Sequence, residues 1–449
     1  MSKKTNEDNN VIYVDGSKEA AANNLESGKR LATQRKILGL FVVVLLIVGA
    51  VLVYIFVNRE YKGYRVVRNN ETNYENTASY IQFCGNLLKY TPDGVSYINS
   101  SGNVVWSAGI NMKMPVAVTS GSYAAVADIS GNSVCVFNES GAVSSITMPY
   151  AICDVDIASQ GAFAVVLESE KTNYINLYDK NGGAVYEIQT TIDKSGYPLD
   201  IAISDDGQKL FTSYINISGT SVKNNITAYN FGEVGQNSNA DRMVGGYMFE
   251  NQVIPKVEFI NNDTVVAFGT NSINVYSMKE KPSPKASLNF DDEIRSVFYN
   301  SDYIGVVQDV KDGKGEHMYK IRTYDVHGKL RFEDYIDFNY DNIYAADKEI
   351  IISGEADCLI YRTNGSVKFS GSLSGKISSV VPSGNRLEYV VVYADKTEII
   401  KLKTEAQSAA DVSVSKETTE TQSTKEENTK ESSEKKAQTS ESSTDTESK

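Results

Sequence analysis

Histidine is almost missing from this chain: there are two, His317 and His327, in 449 residues. Tryptophan occurs once, at Trp106, and proline eight times. The four cysteines, Cys84, Cys135, Cys153 and Cys358, are widely separated and form no CxxC pair, so no zinc or dithiol redox motif is present. Each lies in or beside an apolar, strand-like run and reads as a small buried hydrophobe; a bridge between Cys135 and Cys153 is the alternative. No glycine-rich loop follows a strand and opens a helix, which excludes the common phosphate-binding signatures. The repeated tryptophan docking motifs and adjacent cysteines of a quinone-dependent dehydrogenase are lacking too, and no cofactor is expected.

Positive charge is also in short supply. Lys and Arg total 44 against 57 Asp and Glu, a net charge of −13. Residues 1–36 carry +2 and the last 46 carry −5, which leaves −10 for the middle and argues against nucleic acid as a partner.

What the chain does have is one long apolar run, residues 37–57, ILGLFVVVLLIVGAVLVYIFV, without a charge. As a helix it would be ~31 Å long, which matches the ~30 Å hydrocarbon layer of a bilayer. It ends in Tyr54, Ile55, Phe56 and Val57 rather than the small residues of a peptidase site, so it reads as an uncleaved anchor in the lipid bilayer. Lys29, Arg30, Arg35 and Lys36 before it balance Arg59, Lys62, Arg65 and Arg68 after it, so the local charge rule is a tie. The short arm is the easier piece to retain, which predicts a cytoplasmic N-terminus and an exported large domain. Residues 1–36 form a polar arm, expected to be disordered apart from the apolar VIYV at 11–14 and a stretch, 18–36, able to continue the helix.

Beyond the anchor a pattern recurs eight times: an apolar alternation, a turn, and a second apolar run. It includes IQFCGNLLKY (81–90), VDIASQGAFAVVL (155–167), IAISDDGQKLFTSY (201–214) and VVPSGNRLEYVVVY (380–393). A second hairpin lies between copies, as in SYINSSGNVVWS (96–107) and LIYRTNGSVKFSG (359–371), often with glycine at the turn. Two hairpins per unit of about 43 residues predict an all-β propeller of eight four-stranded blades over residues 58–403, with seven as the alternative count. The eighth copy stops after three strands at TEIIKL (397–402). YKGYRVVR (61–68) is expected to supply its missing outer strand and close the ring. Residues 404–449 contain no aromatic residue and are rich in Ser, Thr, Glu and Lys, the composition of a disordered tail.

Catalytic candidates are few. In the eight-bladed reading His317 and His327 fall on opposite faces of blade 6, so they share no metal. Asp154 with Asp156, and Asp205 with Asp206, read as a solvated strand face and turn caps. Surface loops remain. ESEKTN (168–173), SGTSVKNN (218–225), DVKDGKGEH (309–317) and the connector DKSGYP (193–198) share one face, with Glu168, Lys171, Tyr197, Lys223, Lys311 and Lys314 as candidate partner contacts. FGEVGQNSNADR (231–242) forms the longest outer hairpin loop, on the other face.

The blade pattern is similar to WD40-like and quinoprotein-like propellers. More closely, the anchor followed by GYPLDIAISDDGQKL (196–210), YNFGEVGQ (229–236), VIPKVEFI (253–260) and IIKL (399–402) resembles a family of single-pass membrane proteins of clostridial bacteria, the domain of unknown function 5711. That resemblance covers about residues 37–403 and implies a cell-envelope protein, with no catalytic residues to carry over. The expectation is a non-catalytic scaffold or sensor that binds a protein or glycan at the propeller surface. An envelope enzyme using the ring's channel is the alternative.

Overall fold

Runs such as Phe163–Glu168 and Tyr303–Asp309 are apolar on both sides and buried nearly throughout, which suits strands packed on both faces. The outermost strands, such as Val104–Gly109, alternate between half-buried and exposed positions. In the computed structural model, which describes residues 16–71, 78–170, 172–218, 221–238, 240–311, 315, 317–346 and 348–405, these strands form eight antiparallel sheets of four. They are the blades of a propeller, numbered 1 to 8 from Ser79, with strands a to d from the channel outward. The eight-blade count is therefore correct and the seven-blade alternative is not.

All eight recurring hairpins are the a–b pairs. Packing is between blades: Ala125, Val134 and Val136 of blade 2 meet Val155, Phe163 and Val165 of blade 3 in one buried cluster. Leu87 and Ile98 of blade 1 meet Val390 and Val392 of blade 8 in another, so the core continues across the seam.

Seven c strands reach their outer turn through an aromatic residue at or beside a register shift: Tyr97, Phe137, Tyr178, Tyr229, Tyr276, Tyr324 and Tyr361. An Asx residue often follows and caps the turn. Asp179 accepts the amides of Asn181 at 2.8 Å and Gly183 at 2.9 Å; Asp325 accepts those of His327 at 2.9 Å and Lys329 at 3.0 Å.

The ring closes as the unfinished eighth repeat implied. Gly63–Glu71, strand 8d, pairs antiparallel with Lys396–Lys403, strand 8c, from Gly63↔Lys403 to Glu71↔Lys396. The strand is longer than the segment 61–68. Tyr61 bridges to Phe369 of blade 7, Tyr61 and Tyr64 are buried, and the Arg68 guanidinium donates to the Ser101 carbonyl of blade 1 at 2.9 Å. Both ends of the ring thus lie on one face, the face of the a–b and c–d turns.

Helix α1, Gly16–Val57, is one continuous helix, so the second half of the N-terminal arm is helical. Its segment Leu38–Val57 is long and apolar enough to cross a membrane. Asn58 ends it, its amide and its side chain both donating to the Tyr54 carbonyl at 3.0 Å. The chain divides into two compact units, Met1–Arg59 and Glu60–Lys449. Two short helices interrupt the ring: α2, Ile192–Ser195, between blades 3 and 4, and α3, Glu233–Ser238, in the outer turn of blade 4 expected as the longest. The VIYV stretch, Lys171, Lys314 and the tail from residue 406 lie outside the described residues.

Candidate functional site: a carboxylate wall at the channel

The a strand of each blade is a sheet edge, and its outward N–H groups need partners. In blades 3 to 5 carboxylates supply them. Strand 3a, Ala151–Ile157, sets Asp154 and Asp156 two residues apart and so on one side of the strand. Asp154 accepts the Val155 amide with Oδ1 at 2.9 Å and the Ile201 amide of strand 4a with Oδ2 at 3.0 Å. Asp156 repeats this, accepting Ile157 with Oδ1 and Ile203 with Oδ2, both at 2.8 Å. One blade on, Asp200 of strand 4a (Tyr197–Ile203) accepts the Val257 amide of strand 5a (Lys256–Asn261) at 2.6 Å. The reading of Asp154 and Asp156 as a solvated face is therefore corrected: they fasten one blade to the next.

Glu258 continues the wall. It accepts the Tyr299 hydroxyl of strand 6a (Ser296–Tyr299) at 2.7 Å and the Lys256 ammonium at 3.1 Å. Lys256 Nζ also lies 5.8 Å from the centre of the Tyr299 ring. Desolvation pushes the carboxyls up, Asp154 to about 6 and Asp200 to about 8; donated amides and Lys256 oppose the rise. Asp156 is raised well above its ordinary value, by desolvation and then by Glu258. For Lys256 desolvation acts downward, but Glu258, Tyr299 and Asp200 outweigh it and hold the ammonium charged.

At the mouth of the channel the structure brings two expected contact residues together. Glu168 ends strand 3b (Phe163–Glu168) and Tyr197 opens strand 4a, and the Tyr197 hydroxyl lies 3.5 Å from Glu168 Oε2. Gly196 permits this approach: its φ is +91° and a Cβ there would sit 2.5 Å from the Ile215 carbonyl oxygen. Cys153 joins them, its Sγ 3.4 Å from Glu168 Oε2 and 3.7 Å from the Tyr197 hydroxyl. Desolvation pushes this thiol up to about 11 and Glu168 adds to the shift, so it is no nucleophile near neutrality.

Other expected positions differ. Lys223 was expected in a loop, but strands 4b (Lys209–Ser218) and 4c (Ser221–Asn230) extend almost to their turn, and Lys223 is a strand residue opposite Asn216 and Glu250. ESEKTN is likewise short of a long loop, because strand 3c resumes at Thr172. Lys311 is exposed and pairs with Asp292 at 3.1 Å. Asp206 caps its turn as expected, accepting Ser204 Oγ at 2.6 Å and the Gln208 amide at 3.0 Å.

The cysteines are all free, so Cys135 and Cys153 form no bridge. Cys135 and Cys358 are buried, whereas Cys84 and Cys153 are partly exposed. His317 stacks on Tyr335 with ring centres 4.1 Å apart and bonds Asp337 at 2.8 Å, in the b–c connection of blade 6; His327 is in the outer turn on the other face. Among the described residues no three His, Cys, Asp or Glu side chains converge as a metal site would require.

Sequence reasoning missed Lys256, Asp200, Glu258 and Tyr299 as one group. The available signal was charge at every second position of an a strand: Asp154 and Asp156 in one blade, Lys256 and Glu258 in another.

Among solved structures the chain is similar to Sqt1 of Saccharomyces cerevisiae, with 10% identity and a TM-score of 0.48 over 77% of this chain and 100% of that one. It is also similar to BamB of Moraxella catarrhalis, with 11% identity and a TM-score of 0.46 over 75% and 99%. Apo AztD of Citrobacter koseri gives 11% and 0.46 over 67% and 87%. No curated protein matches the sequence. The profile of a family of unknown function, DUF5711, matches residues 57–402, and the chain belongs to that family.

Proposed function

We propose that this protein is a membrane-anchored, extracytoplasmic propeller of the bacterial cell envelope that acts as a non-catalytic binding scaffold or sensor. The observation that carries the reading is the commitment of its polar wall. The carboxylates of blades 3 and 4 serve backbone amides of the next blade, while Lys256 and Tyr299 are held by Glu258. A catalytic centre would keep an acid, base or nucleophile poised toward substrate.

Leu38–Val57 supports the anchor, with residues 1–36 cytoplasmic and the ring and tail outside. The partner, a protein or glycan, meets the face of the b–c and inter-blade connections, which carries Glu168, Tyr197 and Lys311 and takes neither end of the ring. Cross-linking in intact cells, followed by purification from detergent-solubilised membranes, tests this. A stoichiometric partner lost on Tyr197→Ala with Lys311→Glu is expected, with protease added to protoplasts removing the tail and sparing the arm. Retention of the partner by that double variant, or protection of the tail, would reject the corresponding part.

A further inference from the structure

Strand 8d differs from the other seven d strands in how it is held. Each of those follows its c strand through a turn, whereas 8d and 8c come from opposite ends of the ring and are joined by their ladder and by side-chain packing alone. The chain arrives from α1 at Gly63 and departs toward residues 404–449 at Lys403, and these two residues are the first pair of that ladder. A pull that separates the arriving from the departing segment therefore loads the ladder at one end and breaks it pair by pair. A pull along the strand, as from the far end of 8c, loads every pair together and meets more resistance.

What resists peeling is gathered at the loaded end. The Tyr61 amide donates to the Lys368 carbonyl of blade 7 at 2.9 Å, and the Lys62 amide to the Lys403 carbonyl at 3.1 Å. Tyr61 and Tyr64, 7% and 5% exposed, share a buried cluster with Phe369, Tyr393 and Leu402. Farther along, the ladder shifts register between Val66 and Arg68, and Arg65, Val67 and Arg68 are exposed. The side-chain bonds there reach blade 1 from exposed or half-buried positions: Arg68 to the Ser101 carbonyl at 2.9 Å and Asn70 Nδ2 to the Gly102 carbonyl at 3.3 Å. Once the two tyrosine rings leave the core, the rest of the strand has little to hold it, so release has a threshold.

We propose that strand 8d is a latch released by tension: load drawn between the membrane anchor and residues 404–449 peels it from strand 8c and opens the ring. The inference rests on the reading of Leu38–Val57 as a membrane anchor. Only residues 58–62 separate that helix from the strand, so load on the anchor reaches Gly63 with little slack. Release leaves the outward N–H and C=O groups of Lys396–Lys403 as an open sheet edge, able to accept a strand from another chain.

The test stretches the full chain, in detergent micelles, between handles on azide-bearing residues at two positions. Handles in place of Glu60 and Glu405 are expected to give a short first step at low force, about 5 nm for residues 63–78 pulled straight, that reverses on relaxation. Handles in place of Glu60 and Asp395, the latter in the 8b–8c turn, should need a higher force for release. Tyr61→Ala with Tyr64→Ala should bring the first step between positions 60 and 405 to lower force, whereas Arg68→Ala should leave it in place. Equal release forces in the two geometries, unfolding of the ring without a separate short step, or an unchanged force in the double variant overturns the latch. Loss of the protein from membranes in an alkaline wash rejects the anchor and with it the load, and the proposal falls; the short step would then persist between handles, which tells the two failures apart.

Discussion

Asp156 and Ile203 stand 47 residues apart in sequence, and the Ile203 amide donates to Asp156 Oδ2 at 2.8 Å, across the boundary between blades 3 and 4. The other carboxylate oxygen accepts the Ile157 amide at 2.8 Å, so both oxygens act as acceptors. Asparagine can offer only one. Asp156→Asn should therefore turn an amide donor toward a backbone donor and cost about 1–3 kcal/mol, read as a lower denaturant midpoint. An unchanged midpoint would show that the clamp contributes nothing.

Stability should depend on pH in an unusual direction near neutrality. Desolvation raises Asp154 from 3.8 to about 6 and Asp200 from 3.8 to about 8, so the folded ring binds protons the unfolded chain has released. Their contribution is fully present below the unfolded value and is lost as pH rises through about 6 and then about 8. The ring should melt higher at mildly acidic than at mildly alkaline pH. Asp200→Asn, which keeps an acceptor for Val257, should flatten the upper part of that slope. A melting temperature that rises from mildly acidic to mildly alkaline pH would contradict the assignment.

Opening the ring should be costly. A soluble fragment beginning at Glu60 retains strand 8d, whereas one beginning at Ala78 loses it together with the buried rings of Tyr61 and Tyr64. Each buried aromatic is worth about 3 kcal/mol or more, and an unpaired edge on strand 8c remains, so the shorter fragment should melt roughly 10 °C lower or aggregate. Equal melting temperatures would reduce strand 8d to a linker.

Thiol chemistry checks that the four cysteines are free. Burial pushes Cys358 up to about 12; desolvation with Glu139 pushes Cys84 up to about 12. Native protein should react slowly with iodoacetamide near neutrality, and all four thiols should react once it is unfolded without reductant. Fewer than four thiols under those conditions would reveal a disulfide.

The eight repeats, their a–b hairpins, the unfinished last blade and the apolar helix could all be read from the chain. These features rest on local periodicity and turn chemistry: two-residue alternation, glycine and Asx turns, and an uncharged run as long as a bilayer is thick. Even closure was legible, because YKGYRVVR has no local partner and TEIIKL leaves the last blade one strand short. Tertiary structure decided what alternation leaves open, namely which neighbour a side chain reaches. Asp154 and Asp156 have the spacing of an exposed strand face, and only the approach of strand 4a turns them into acceptors for Ile201 and Ile203. Lys223 has a polar, loop-like setting, and only the ladder between Asn216 and Lys223 makes it a strand residue. Cys135 and Cys153 lie in successive blades, where each thiol meets a residue of its own sheet, Ser145 and Glu168, instead of the other. Such contacts depend on the angle at which one blade meets the next, and the packing of all eight around the channel sets it.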